Sequence, residues 1–222
     1  QTCALPIYQP NIKYAAMHAL SWNVHRRWTL GLSEWVIWQE RDGSTRRLPD
    51  LYYLNPLIFY RPVEYSIGSP DNVILGFSVR HQATKNCTIY GQFVLDEFNI
   101  RQLRLHKHWW GNKVAAQFGV KYFDIIPGLH VQSEVNVARP FTYSHGSPIQ
   151  SWTHANVPLA HPLGANFVEW CNIIRYQHQD WNVLYRNNWL SFGRDWDADG
   201  DGLIDRFGGN ITSSYEIGRA HV

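Results

Sequence analysis

The chain has 222 residues, 45% of them hydrophobic and 17% charged, with a formal net charge of +2 at pH 7. No run of about 18 apolar residues exists to make a membrane-spanning helix, and the scattered basic residues give no nucleic-acid footprint. Neither observation excludes a transmembrane β-barrel, in which only alternate residues of each strand face lipid. Aromatics make up 15% of the chain, including 11 Trp and 12 Tyr. These rings are favoured at membrane–water boundaries, and they also line sugar-binding surfaces.

Period-two alternation predicts about eight strands of roughly ten residues each. In chain order they are Ile12–His25, Trp28–Trp38, Asn72–His81, Cys87–Phe98, Lys113–Phe123, Leu129–Arg139, Phe167–Gln177 and Trp181–Arg194. In the clearest of them, Val114, Ala116, Phe118, Val120 and Tyr122 oppose Lys113, Gln117, Gly119 and Lys121. Glu34 and His18 fall on apolar faces, so a bulge or an interfacial position is expected at Glu34. Glu169 and Arg175 share one face of a strand whose pattern is too irregular to orient.

Tight joints are expected at His25–Arg27, Gln82–Asn86, Asp124–Gly128 and His178–Asp180. Long links are expected at Gln39–Asp71, Asn99–Asn112, Pro140–Asn166 and Asp195–Asn210. Short and long connections therefore alternate, which is the plan of an antiparallel up-and-down transmembrane β-barrel. A β-sandwich would mix its turn lengths and cross over in Greek keys. The expected fold is an all-β barrel over residues 8–216, part of a larger barrel in preference to a closed eight-stranded one. The ends QTCALPIY and EIGRAHV resemble translated sequencing-adapter tails, so residues 1–7 and 217–222 are expected to be non-native.

The sharpest local motif is DADGDGLID at Asp197–Asp205. Alternating carboxylates followed by glycine match the first part of a calcium loop. Asp197, Asp199, Asp201 and Asp205 are the candidate ligands, together with the Leu203 carbonyl. The twelfth position is Gly208 where a bidentate Glu belongs, so weak calcium binding and an unmetallated acidic loop both fit. Aromatic and polar residues gather in the long links, with Trp109, Trp110, Tyr143, His145, Trp152 and His154 as candidate ligand-binding residues. Their rings either stack on sugars or pack the loops onto the barrel mouth.

Cys3, Cys87 and Cys171 form neither a disulfide framework nor a zinc pattern. Asp96 and Glu97 are adjacent on a strand and should point to opposite sides. No nucleophile elbow, P-loop or dinucleotide fingerprint occurs. Evidence for an enzyme is therefore thin.

The strings LYYLNPLIFYRPVEYSIGSPDNVILGFSV, YGQFVLDEFNIRQL, WWGNKVAAQFGVKYFD and RPFTYSH…THANVPLAHPLGANFVE resemble the Wzi-type capsule-assembly outer-membrane proteins. They are nearest the branch that includes gliding-motility-associated members. The resemblance implies a non-enzymatic barrel in a Gram-negative outer membrane, with capsular or surface polysaccharide and membrane lipid as partners. A motility component and a pore are the alternatives, and a soluble calcium-dependent carbohydrate module is more remote.

Overall fold

Successive side chains of a strand leave on opposite faces, so a chain that alternates two chemistries folds into a two-faced sheet. The computed structural model describes residues 12–42, 45–46, 53, 71–97, 111–197 and 204–212. Its strands are β1 (Lys13–His25), β2 (Trp28–Gln39), β3 (Arg41–Asp42), β4 (Thr45–Arg46), β5 (Asn72–Gln82) and β6 (Cys87–Glu97). They continue with β7 (Lys113–Tyr122), β8 (Leu129–Ala138), β9 (Thr153–His154), β10 (Val157–Pro158), β11 (Phe167–His178) and β12 (Trp181–Phe192). The long strands begin and end within a residue or two of their expected positions, and Phe98 lies outside the described residues.

One antiparallel sheet of eight strands runs β1-β2-β5-β6-β7-β8-β11-β12, each long strand beside its neighbours in sequence. Among the described residues β1 pairs only with β2, and β12 only with β11. The architecture is an up-and-down meander. The short strands, absent from the sequence expectation, form small hairpins β3–β4 and β9–β10 inside long connections.

Register links the alternation of each strand to the next. One row across the sheet reads Leu20, Leu32, Phe77, Phe93, Ala116, Val137, Val168, Ser191. The parallel row two residues away reads Trp22, Leu30, Val79, Gly91, Phe118, Val135, Trp170, Trp189. On the opposite face a row reads Ser21, Gly31, Ser78, Gln92, Gln117, Asn136, Glu169, Leu190. One face is thus apolar and the other predominantly polar, although Phe118 is 59% exposed and Trp189 66% exposed.

Some polar residues of the apolar face contact neighbours on it. Ser133 Oγ donates to Asn172 Oδ1 at 2.8 Å and accepts from Trp170 Nε1 at 2.8 Å. His81 stacks on Trp28 with ring centroids 3.9 Å apart. Of the two alternatives expected at Glu34, the bulge does not form. The β2–β5 register runs unbroken, and the β1–β2 shift falls between Trp22 and His25. Glu34 stands opposite His18 and is only 5% exposed. Close by, Val36, Trp38, Val73 and Tyr53 form a small core on the same face, with Tyr53 OH donating to Asp71 Oδ2 at 2.7 Å. Protein therefore covers the apolar face here, over β1, β2 and β5.

The polar face carries a hydrogen-bonded ladder. Tyr90 OH donates to Glu134 Oε2 at 2.5 Å and accepts from Gln132 Nε2 at 2.9 Å. Asn136 Nδ2 bridges Glu134 Oε1 (2.9 Å) and Glu169 Oε2 (3.1 Å), and Asn188 Nδ2 donates to Glu169 Oε1 at 2.6 Å. Glu169 and Arg175, which the sequence left unoriented, both lie on this face, paired with Asn136 and His130.

The Tyr90 ring reaches Glu134 by crossing Gly119, and any Cβ at residue 119 would overlap that ring. Gly119→Val should therefore displace Tyr90 and cost about 1–3 kcal/mol, as overpacking does. Urea unfolding of the refolded protein should register the loss, whereas Gly146→Ala, with no atom within 4 Å of the added carbon, should leave the midpoint unchanged. Equal midpoints for Gly119→Val and the parent would refute the role given to this pair.

Candidate functional site

The long connection between β8 and β11 crosses the polar face at the end of the sheet away from the tight turns. It begins under backbone strain, with Phe141 and Tyr143 at φ of 62° and 71°, a conformation non-glycine residues hold only when surroundings enforce it. Phe141 N–H donates to Gly208 O at 2.9 Å. Asp96 Oδ2 accepts from Tyr143 N–H at 2.8 Å. Lys113, wholly buried, donates to Glu97 Oε1 and to Ser144 O, both at 3.0 Å.

These contacts correct the reading of Asp96 and Glu97. A register shift between Leu95 and Glu97 leaves Asp96 as the extra residue of a bulge. Both neighbouring acids then serve the same loop segment, one bonding Tyr143 and the other bonding the lysine beneath Ser144.

Further anchors follow the loop across the sheet. Asn72 Nδ2 donates to Gln150 O at 2.9 Å, Lys13 Nζ to Ser151 O at 3.1 Å, and Ser147 Oγ to Gln39 Oε1 at 3.3 Å. Trp152 meets Trp35 edge-on at 6.2 Å. On the return, His161 Nε2 lies 3.3 Å from Glu169 Oε2. A loop rooted between β8 and β11 thus reaches back to β1.

Tyr143 and Trp152, candidates from sequence, are 5% and 4% exposed and share a core with Ile37, Ile74, Ala115, Phe167 and Ile211. Their rings pack the loop onto the sheet. His154 projects from the β9–β10 hairpin, exposed, and its turn residues Ala155 and Asn156 both have positive φ, as a type I′ turn requires. Trp109 and Trp110 lie outside the described residues.

His145 is half-buried; Ser151 Oγ accepts its N–H at 3.0 Å, and its Nδ1 accepts from Ser147 N–H at 3.3 Å. Burial, followed by the nearby Lys113 ammonium, holds its pKa below the ordinary histidine value.

At the Asp-rich loop, Trp196 and Asp205 form an antiparallel bridge with Asp205 N–H donating to Trp196 O at 3.0 Å. Asp205 is buried and Asp197 half-buried. Asp199 and Asp201 lie outside the described residues. Among the described residues no three His, Cys, Asp or Glu side chains converge as a metal site would require.

Beside this loop lies a cavity of about 440 Å³ lined by Pro158, Pro162, Phe192, Asp195, Asn210 and Ile211, among others. Asp195 Oδ1 accepts from Phe207 N–H at 2.8 Å, while its Oδ2 is buried without a hydrogen-bond partner among the described residues. Sequence reading placed Asp195 only at the start of a long link, because a single acid beside an acidic run carries no distinguishing spacing. The chain matches no family model, no curated protein and no solved structure.

The imidazole of His145 makes the stability of the loop depend on pH. Its folded-state pKa lies below the unfolded value of about 6.5, so the folded loop binds this proton less readily. The associated stability is complete above that value and declines as pH falls through it toward the lowered folded pKa. Protonation would also remove the acceptor used by Ser147. Limited proteolysis of the loop, normalised to an unstructured substrate, should accelerate between pH 7 and pH 5. His145→Asn, which keeps an acceptor without the titration, should flatten that profile; superimposable profiles would contradict it.

Proposed function

We propose that this chain is part of a transmembrane β-barrel in a Gram-negative outer membrane, and that it holds capsular or related polysaccharide at the cell surface. The observation that carries the membrane reading is the pair of registered, mainly apolar rows across the sheet, in which Leu20, Leu32, Phe77, Phe93, Trp22, Phe118, Trp170 and Trp189 are large and exposed. Strands of 10 to 13 residues at about 3.3 Å per residue and a tilt near 45° are long enough to cross a hydrocarbon layer. Trp22, Trp28, Tyr122, Tyr176 and Trp181 share that face toward the tight turns, where an interfacial girdle belongs.

Under this reading the tight turns face the periplasm and the long connections face outward. The polysaccharide role is supported by the resemblance of the quoted strings to Wzi-type capsule-assembly proteins. Their gliding-motility branch supports surface motility as the second reading. A wide pore is disfavoured because residues 139–166 are strapped across the polar face.

Deletion of the gene in its native host should lower cell-attached polysaccharide and raise free polymer in the medium, with total synthesis unchanged. Unchanged attachment together with lost surface spreading would transfer the protein to the motility reading. Unchanged attachment with normal spreading would refute both.

A further inference from the structure

We propose that the trough beside Arg80 on the polar face binds an acidic glycan, with the Arg80 guanidinium taking a carboxylate and the neighbouring hydroxyls and amides taking the sugar. The inference rests on the polysaccharide-binding reading. It narrows that reading to a negatively charged polymer and moves the contact from the loops to the sheet itself.

The trough, at about 380 Å³, is lined by Ser21, Thr29, Ser78, Arg80, Tyr90 and Gln92, among others. Register puts all six on the polar face. Small residues make the depression, since Gly31 also lines it and a Cβ there would overlap Ser78 Oγ. Glycine inside a strand is found where another group comes close to the backbone. Arg80 and Gln92 are exposed although β5 and β6 each have a strand on either side, so their exposure is not that of a sheet edge.

Arg80 is oriented for an anion. Its Nη2 donates to Thr29 Oγ1 at 3.2 Å, and Thr29 Oγ1 donates to Asn23 Oδ1 at 2.8 Å. That chain uses one of the guanidinium's five N–H donors and leaves the rest for a carboxylate, which guanidinium holds by two parallel bonds. No described carboxylate lies within 4.0 Å of Arg80, nor of Lys121, Arg175 and Arg186 on the same face. Glu134, the carboxylate on the strands nearest them, is bonded to Tyr90, Gln132 and Asn136. Four cations against one acid keep the turn-side half of this face positive, which concentrates anions there.

The spacing of the cations favours a polymer over a small ion. Lys121 stands two strands across and two residues along from Arg80, and Arg175 stands the same step from Lys121. Each step is about 12 Å, from roughly 4.8 Å per strand and 3.4 Å per residue. Charges that far apart cannot share one small anion, but a chain carrying repeated carboxylates engages them in turn and gains avidity. Between them Gln82, Thr88 and Gln132 share the Lys121 row. Amides and hydroxyls both donate and accept, as sugar hydroxyls require.

Isothermal titration of the full chain in detergent micelles tests this, with oligogalacturonate, a neutral glucan hexaose, oligoglutamate and the host's own surface polysaccharide as probes. Oligogalacturonate or the host polymer should bind, and Arg80→Gln, which keeps a donor for Thr29, should weaken it about tenfold. Arg80→Lys, which keeps the charge without the fork, should restore only part of the loss. Arg194→Gln removes an equal charge beyond the other end of the sheet and should leave binding unchanged. Equal losses for Arg80→Gln and Arg194→Gln would reduce the effect to net charge and overturn the site. Equal affinity for the neutral hexaose, or preference for oligoglutamate, would overturn the assignment to an acidic glycan. Host polymer bound at full strength by Arg80→Gln would overturn the site and leave the polysaccharide reading standing. No binding of any probe by the parent chain would overturn both.

Discussion

Register is the constraint on which the rest of this protein depends. A slip of one residue at any strand pair would turn apolar side chains onto the polar face and polar ones onto the apolar face. Several devices oppose such a slip. The Tyr90 ring seats over Gly119 and reaches Glu134 two strands away from its own. The amides of Asn136 and Asn188 then tie Glu134 to Glu169 and Glu169 to the outermost strand. A displaced register would break these bonds and leave the carboxylates without donors, which is more costly than the pairing energy alone.

The strap formed by residues 139–166 is a second consequence of register. Its anchors lie on β1, β2, β5, β6, β7 and β11, so the strap can dock only when those strands present the right residues together. Small side chains such as Ala115 and Ala138 leave room for Tyr143 and Trp152. The same docking fixes both the strained start of the loop and the β9–β10 hairpin. The cavity at Asp195 lies where this strap meets the segment after β12, so it inherits its shape from the sheet.

Most of the strands were legible in the sequence because they carry a period of two, regular in the first six and looser in Phe167–Gln177 and Trp181–Arg194. Val114 to Tyr122 is the clearest instance. The alternation of short and long connections was legible for the same reason, since the gaps between patterned segments can be measured directly. The bulge at Asp96 was not, because one extra residue in a ladder leaves no compositional mark. Burial of Tyr143 and Trp152 was equally hidden, since a loop aromatic has the same appearance whether it packs inward or faces a ligand. What decides is the size of the strand residue beneath it, on a strand distant in sequence. Asp195 escaped notice because its isolation arises from surroundings contributed by residues 158 to 211.

The central claim, that the apolar face lies in lipid and the polar face does not, is tested most directly by single nitroxide labels placed one at a time from Asn182 to Trp189. The labels go into a background with Cys3, Cys87 and Cys171 replaced by Ser, reconstituted in liposomes. Labels at Val183, Tyr185, Asn187 and Trp189 should collide mainly with oxygen dissolved in the bilayer, and those at Asn182, Leu184, Arg186 and Asn188 should not. Leu184 and Asn187 are the decisive positions, because register assigns each to the face opposite to the one its own polarity favours. Alternation that includes them is the predicted result; water-soluble relaxation agents reaching all positions equally would contradict it.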